Sequence, residues 1–301
     1  MFVLVLNASN VEPNGSNNTL VYNFPNSIVL KDKFIAVSQV VMYYAWFNIS
    51  TQLSNNTFTY TWTVGATTTT YTVVIPDGLY NITDINSYLQ WTFIQNGHYL
   101  INAVGDNVYY AEFIVNPNRY AIQINTYLIP TSLPSGFIEP GNFNGFPTTT
   151  QNIVLTIPNF FNLIVGYTSG FSTNDNLNNA YVPPSPSVFN NFITKNSVGT
   201  LSYLSNTNPD VQPNSSVYIS ISNINNPYSQ PSSIIYAITP NVAIGEQIVE
   251  TPPNFMWNKM IDGTYNQLRV QLLGIDKRPI QMRDPNMTIM LTIRDKDENL
   301  V

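Results

Sequence analysis

His98 is the sole imidazole of a 301-residue chain that contains no cysteine. Any side-chain catalysis would therefore run through this one ring or through carboxylates. A zinc centre needs several His, Cys or carboxylate ligands converging on one ion. Asn96-Gly97-His98-Tyr99 offers no carboxylate beside the ring. A Ser-His-Asp arrangement would need His98 as its base, yet there is no Gly-x-Ser-x-Gly elbow, phosphate loop or dinucleotide-binding glycine pattern. The lack of cysteine also removes disulfide frameworks and thiolate nucleophiles. His98 is read as a turn residue following a helix. Glycoside hydrolysis needs only two carboxylates, which sequence cannot place in space. Asp77 and Asp84 flank a turn–helix junction, and Glu246 and Glu250 lie near Pro252-Pro253. Turn-forming and helix-start roles are the preferred account of the Asp pair. The sequence thus predicts no enzyme, no catalytic residue, no metal ligand and no cofactor.

The cations are more informative. Residues 1–258 hold 4 Lys/Arg against 11 Asp/Glu, whereas residues 259–301 hold 7 against 6. Lys277, Arg278 and Arg283 share one proline-marked connection with Asp276 and Asp284. Arginine presents planar, bidentate donors suited to protein contacts. These three, with Arg269 on the strand before them, are the candidate subunit contacts. A solvated loop with local ion pairs worth little is the competing reading. Asp284-Pro285-Asn286 is a turn signal that would set the register of the last strand.

These residues must be held by strands, because period-2 alternation dominates the chain. Leu268-Val270-Leu272 and Met287-Ile289-Leu291-Ile293 flank the basic connection. Residues 34–49 read as one long strand, and 57–64 with 69–75 as a hairpin about Gly65-Ala66. Further strands are predicted at 109–115, 119–128, 152–157, 161–167, 200–204, 215–222 and 233–239. One segment, Thr83–Gly97, has Ile85, Leu89 and Phe93 at helical spacing, with Thr83 as N-cap and Gly97 as terminator. Stretches 130–151 and 170–198 are rich in Gly, Pro, Asn and Ser and read as long loops. The fold expected is all-β: a single jelly-roll sandwich over 1–301, with one short helix, long loops and room for an inserted β region.

Composition narrows the class further. Hydrophobic residues make up 44% of the chain, enough for a full core, but charged residues only 9%, against roughly 25% in a typical domain. So little charge gives weak self-repulsion and favours burial of surface against partners. A neutral, glycan-facing domain would share this composition. The acidic pI of about 4.6 argues against a dedicated nucleic-acid binder. No stretch approaches the roughly 20 apolar residues of a membrane helix, so no membrane insertion is expected. The start, MFVLVLNASN, reads as a strand rather than a signal peptide.

Several segments together resemble the penton, or minor capsid, proteins of virophages, mavirus-type above all, and of polinton-like viruses. They are KDKFIAVSQVVMYYAWFNIS (31–50), VVIPDGLYNITDINSYLQ (73–90), NFFNLIVGYTSGF (159–171), LSNTNPDVQPNSSVYISISNINNPYSQPSSIIYAITP (204–240) and LRVQLLGIDKRPIQMRDPNMTIMLTIRD (268–295). The two loop-rich stretches do not share the likeness. The resemblance implies a structural protein of the icosahedral virion, assembled in the host cell, in which five copies close a ring at each capsid vertex. It implies a double jelly-roll major capsid protein as neighbour and leaves contacts with genome, other internal components or a host surface receptor open. A jelly-roll glycan-binding or host-attachment module is the alternative.

Overall fold

The computed structural model describes residues 1–174, 200–212 and 214–296. The loop expected over 170–198 therefore lies largely outside the described residues. Where the sequence predicts one domain over 1–301, the chain divides into two compact units: Met1–Asn48 with Pro213–Val301, and Ile49–Gln212. Each encloses its own apolar cluster. The second unit is inserted into the chain of the first.

Besides the two-residue strand Asn258–Lys259, eight strands build the first unit: β1 (Phe2–Leu6), β2 (Thr19–Leu30), β3 (Lys33–Tyr43), β4 (Val217–Ile221), β5 (Ile234–Ile238), β6 (Gln247–Glu250), β7 (Gly263–Leu273) and β8 (Thr288–Asp295). They form two antiparallel sheets, ordered β1-β8-β3-β6 and β5-β4-β7-β2. The chain passes between the sheets in the double Greek-key order of a jelly roll. Alternation dictates the packing. Leu4 and Leu6, Val37, Val40 and Met42, and Ile289, Leu291 and Ile293 point inward from one sheet. Ile219 and Ile221, with Leu268, Val270 and Leu272, meet them from the other. Burying each such side chain contributes about 1.5–3 kcal/mol.

Two strands of this unit escape the sequence reading. β2 carries Pro25 in its interior, which speaks against a central strand. It is an edge strand, and its pairing with β7 jumps from Ile28–Tyr265 to Asn23–Gln267, so Pro25 sits in a bulge and owes no ladder bond. β6 has only four residues, too few for a period to show. The strand predicted over 34–49 stops at Tyr43.

The inserted unit holds a four-stranded sheet, ordered Phe171–Ser172, Leu155–Ile157, Thr57–Val64, Thr67–Val74, and a three-stranded sheet of Leu201–Leu204, Ala121–Thr126 and Ala111–Asn116. The predicted hairpin is present, with Gly65 at φ +59° in its turn. Helix α1 spans Ile82–Asn96 and buries Ile85, Leu89 and Phe93 as their spacing requires. Its N-cap is Asn81 rather than Thr83. Asn81 and Asp84 exchange reciprocal side chain–backbone bonds of 2.9 Å, a capping box. Gly97 ends the helix at φ +69°. The strand predicted at 161–167 is instead a five-residue helix, α2 (Phe161–Val165), closed by Gly166 at φ +74°. Its buried residues Phe161, Ile164 and Val165 fall at helical rather than alternating spacing. Among the described residues, no helix is long and apolar enough to cross a membrane.

Candidate functional site

The four predicted contact cations occupy different settings in the jelly-roll unit. Arg269 projects from β7, and its Nη2 donates to Glu12 Oε2 at 2.7 Å, an exposed pair across strands. Lys277 takes φ +67° in the turn after β7. Its ammonium stands 3.4 Å from the ring centroid of Tyr218, a cation–π contact. Arg278 Nε lies 3.9 Å from Asp276 Oδ2 and its side chain is largely exposed. Arg283 belongs to a solvent-open cleft of about 400 Å³ with Tyr43, Ala45, Gly245, Asp284 and Pro285. Among the described residues, no ion pair engages its guanidinium. Asp284 Oδ1 accepts from Asn286 N at 2.8 Å, the side chain–backbone turn that leads into β8.

A surface not singled out by the sequence reading lies on the outer face of the β1-β8-β3-β6 sheet. Residues directly opposite in an antiparallel pair share a face. Val3 opposes Thr292 and Val5 opposes Met290. Met290 opposes Gln39, Thr288 opposes Val41, and Val41 opposes Val249. Val3, Val5 and Val249 are 49%, 42% and 58% exposed. None of these positions is charged. At one end of this face Arg294 stacks on Trp257. An antiparallel sheet with one solvated face ordinarily alternates apolar-in with polar-out. The outer face of the second sheet is mixed, with Gln271 between Thr19 and Ser220 in one row and Arg269 opposite Val21 in the next. The β1 face carries more valine and no charge at the positions named above. The signal was present in Phe2-Val3-Leu4-Val5-Leu6, which does not alternate at all.

No family model matches the chain, and no curated protein matches it. Among solved structures, it aligns with the selenomethionine-labelled mavirus penton protein over 97% of this chain and 98% of that one, at 10% identity and a TM-score of 0.39. It aligns with the Sputnik virophage structure over 98% of both chains, at 14% identity and a TM-score of 0.35. Likenesses this distant decide nothing about what the chain does.

The candidate carboxylates are engaged in local structure, and each pair lies in a different unit. Asp77 Oδ1 accepts from Thr51 N at 2.7 Å and Thr51 Oγ1 at 2.9 Å, while Asp84 serves the capping box. Glu246 Oε2 accepts from Ala243 N, and Glu250 Oε1 accepts from the Tyr236 hydroxyl at 2.7 Å. Burial and the Glu250 carboxylate push that phenol up to about 12. The reading missed Glu112, which is fully buried. Its Oε1 accepts from Tyr127 OH at 2.5 Å and Asn125 Nδ2 at 2.8 Å. Glu112, Gln123 and Asn125 lie at alternating strand positions that look like a solvent face in sequence. Among the described residues, no group of three or more His, Asp or Glu could hold a metal.

His98 does follow the helix, as expected, but it is a core residue rather than a surface turn. It is fully buried. Its ring stacks on Trp62 at 4.5 Å and meets Tyr60 and Tyr71 edge-on. Nδ1 lies 2.8 Å from the Tyr60 hydroxyl and Nε2 lies 3.0 Å from Asn144 Nδ2. Burial drives the imidazole down to about 3, so the ring is neutral.

Proposed function

We propose that this chain is a structural capsid subunit, the penton that closes the vertices of an icosahedral virion as a ring of five copies beside a double jelly-roll major capsid protein. The observation that carries the reading is the jelly roll with apolar residues on both faces of its β1-β8-β3-β6 sheet. A second apolar face is stable in water only when something covers it. Five-fold closure supplies such cover, since a head-to-tail interface sets one flank of each subunit against a different flank of the next. The sparse charge of the chain and the penton-like segments of its sequence support the same reading. Arg278 and Arg283, exposed at the connection into β8, are proposed as secondary contacts within the shell.

Native mass spectrometry with negative-stain imaging tests the reading, on the protein alone and mixed with the major capsid protein. A discrete pentamer forming rings is the expected outcome. A monomer under both conditions would overturn it. Val5→Lys is expected to abolish the ring, because the new ammonium would have to be desolvated at the contact. A Val5→Lys protein that still closes rings would remove the outer sheet face from the interface.

A further inference from the structure

One of the two polar contacts of the His98 ring reaches a loop. Asn144 Nδ2 reaches both His98 Nε2 (3.0 Å) and the Tyr71 hydroxyl (3.1 Å), so this amide ties the 140–148 segment to the buried ring. The neighbours of Asn144 add to the attachment, as do Phe146 O, which accepts from Gly65 N at 2.9 Å, and Thr148, whose N–H and hydroxyl donate to Gly65 O at 2.8 and 3.1 Å. The backbone N–H of Asn144 donates to Gly97 O at 3.1 Å, and Asn142 Nδ2 donates to Ile94 O at 2.8 Å. Trp62 Nε1 donates to Gly145 O at 3.3 Å. Phe143 and Phe146 pack together and against the core of the inserted unit. The fit at Gly97 is close, since a Cβ there would lie 1.9 Å from Asn142 O.

The ring has no provision for a second proton. The hairpin strands set Tyr60, Trp62 and Tyr71 against it, helix α1 ends beside it with Asn96 bonded to Tyr60, and the loop contributes Asn144. Of these only Tyr60 and Tyr71 titrate, and both are phenols. No carboxylate or cation contacts His98 among the described residues. A buried imidazolium without a counter-charge is strongly disfavoured, and aromatic faces return only about 2 kcal/mol of that. The charge is accommodated once water reaches the ring, and Asn144 of the loop is the group that covers Nε2.

We propose that the 140–148 loop is an acid-released latch: protonation of His98 favours the state in which Asn144 lets go and Phe143 and Phe146 become exposed. The expected size follows from linkage. With the closed ring neutral and the opened ring titrating near about 6.5, acidifying from pH 7.5 to 5 raises the opening equilibrium about thirty-fold. This holds whether or not the chain joins a capsid.

Hydrogen exchange on the intact protein, corrected for intrinsic rates, reads that equilibrium directly. Amide protection within 140–148 is expected to fall about thirty-fold over this range. Protection should begin to fall at about pH 6.5 rather than in the carboxylate range and then drop about tenfold per pH unit, and amides of Leu268–Leu272 in the jelly roll should keep their protection. His98→Phe retains a stacked ring and removes the titration, so its loop should show no such fall. If that protein does not fold, His98→Gln replaces it in the same comparison. A flat profile in the wild-type protein, a fall that sets in only below about pH 4.5 where carboxylates titrate, or an equal fall in the variant would each overturn the proposal.

Discussion

Gly97 joins two requirements at a single position. Its φ of +69° is left-handed, and Asn142 O fills the space where a Cβ would stand. Gly97→Ala is therefore expected to destabilise the inserted unit by more than the roughly 1 kcal/mol of conformational strain alone, with a chemical-denaturation midpoint as the check. Asn81→Ala removes one half of the capping box and should lower stability by about 1 kcal/mol. His98 gives a pH dependence whose sign is fixed by its neutral, buried state. The unfolded ring takes up a proton below about 6.5 and the folded ring only near 3. Between those values the unfolded chain holds more protons, so stability falls as pH falls, by about 1.4 kcal/mol per unit. Thermal melts from pH 7.5 to 5 should show this decline, and His98→Phe should flatten it. A lone His in a Gly-His-Tyr setting carries no mark of burial in sequence. The partners that enclose it come from residues 60–71 and 144.

Among the elements, strands whose faces alternate were legible. The 57–64 and 67–74 hairpin, β7 and β8 stand close to where their periodicity placed them, and α1 was visible from Ile85, Leu89 and Phe93. Elements whose pattern conflicts with their context were not legible. Pro25 hid β2, because only the bulge opposite Tyr265 and Gln267 makes a proline tolerable there. Phe161–Val165 is apolar enough for a strand, and only Gly166 in the left-handed region turns it into a helix. The outer sheet face was hidden for another reason: a continuous apolar run such as Phe2–Leu6 says that both sides are covered without saying by what. Leu291→Ala in the centre of β8 should cost about 2–5 kcal/mol and weaken the whole jelly roll. Val5→Lys, on the same sheet but facing outward, should change monomer stability by no more than about 0.5 kcal/mol. Comparing melts of the two variants with their assembly states separates core from contact.

At the level of the whole molecule, two units with separate cores should unfold separately. Calorimetry is expected to resolve two transitions, of which acid moves the one carrying His98; a single transition insensitive to His98→Phe would count against this. The order of the strands along the chain has a further consequence, for synthesis. Phe2 pairs with Ile293, and β8 lies between β1 and β3. The jelly-roll sheet therefore cannot close until the residues of β8 have been made, whereas residues 49–212 form one uninterrupted stretch. At ribosomal speeds of about 5–20 residues per second, Val3 and Val5 wait about 15 to 60 s for their partner strand. Throughout that interval the nascent segment Phe2–Leu6 is an unpaired, uncharged β segment, so the yield of this protein in a cell should depend on chaperone capacity more than on its final stability.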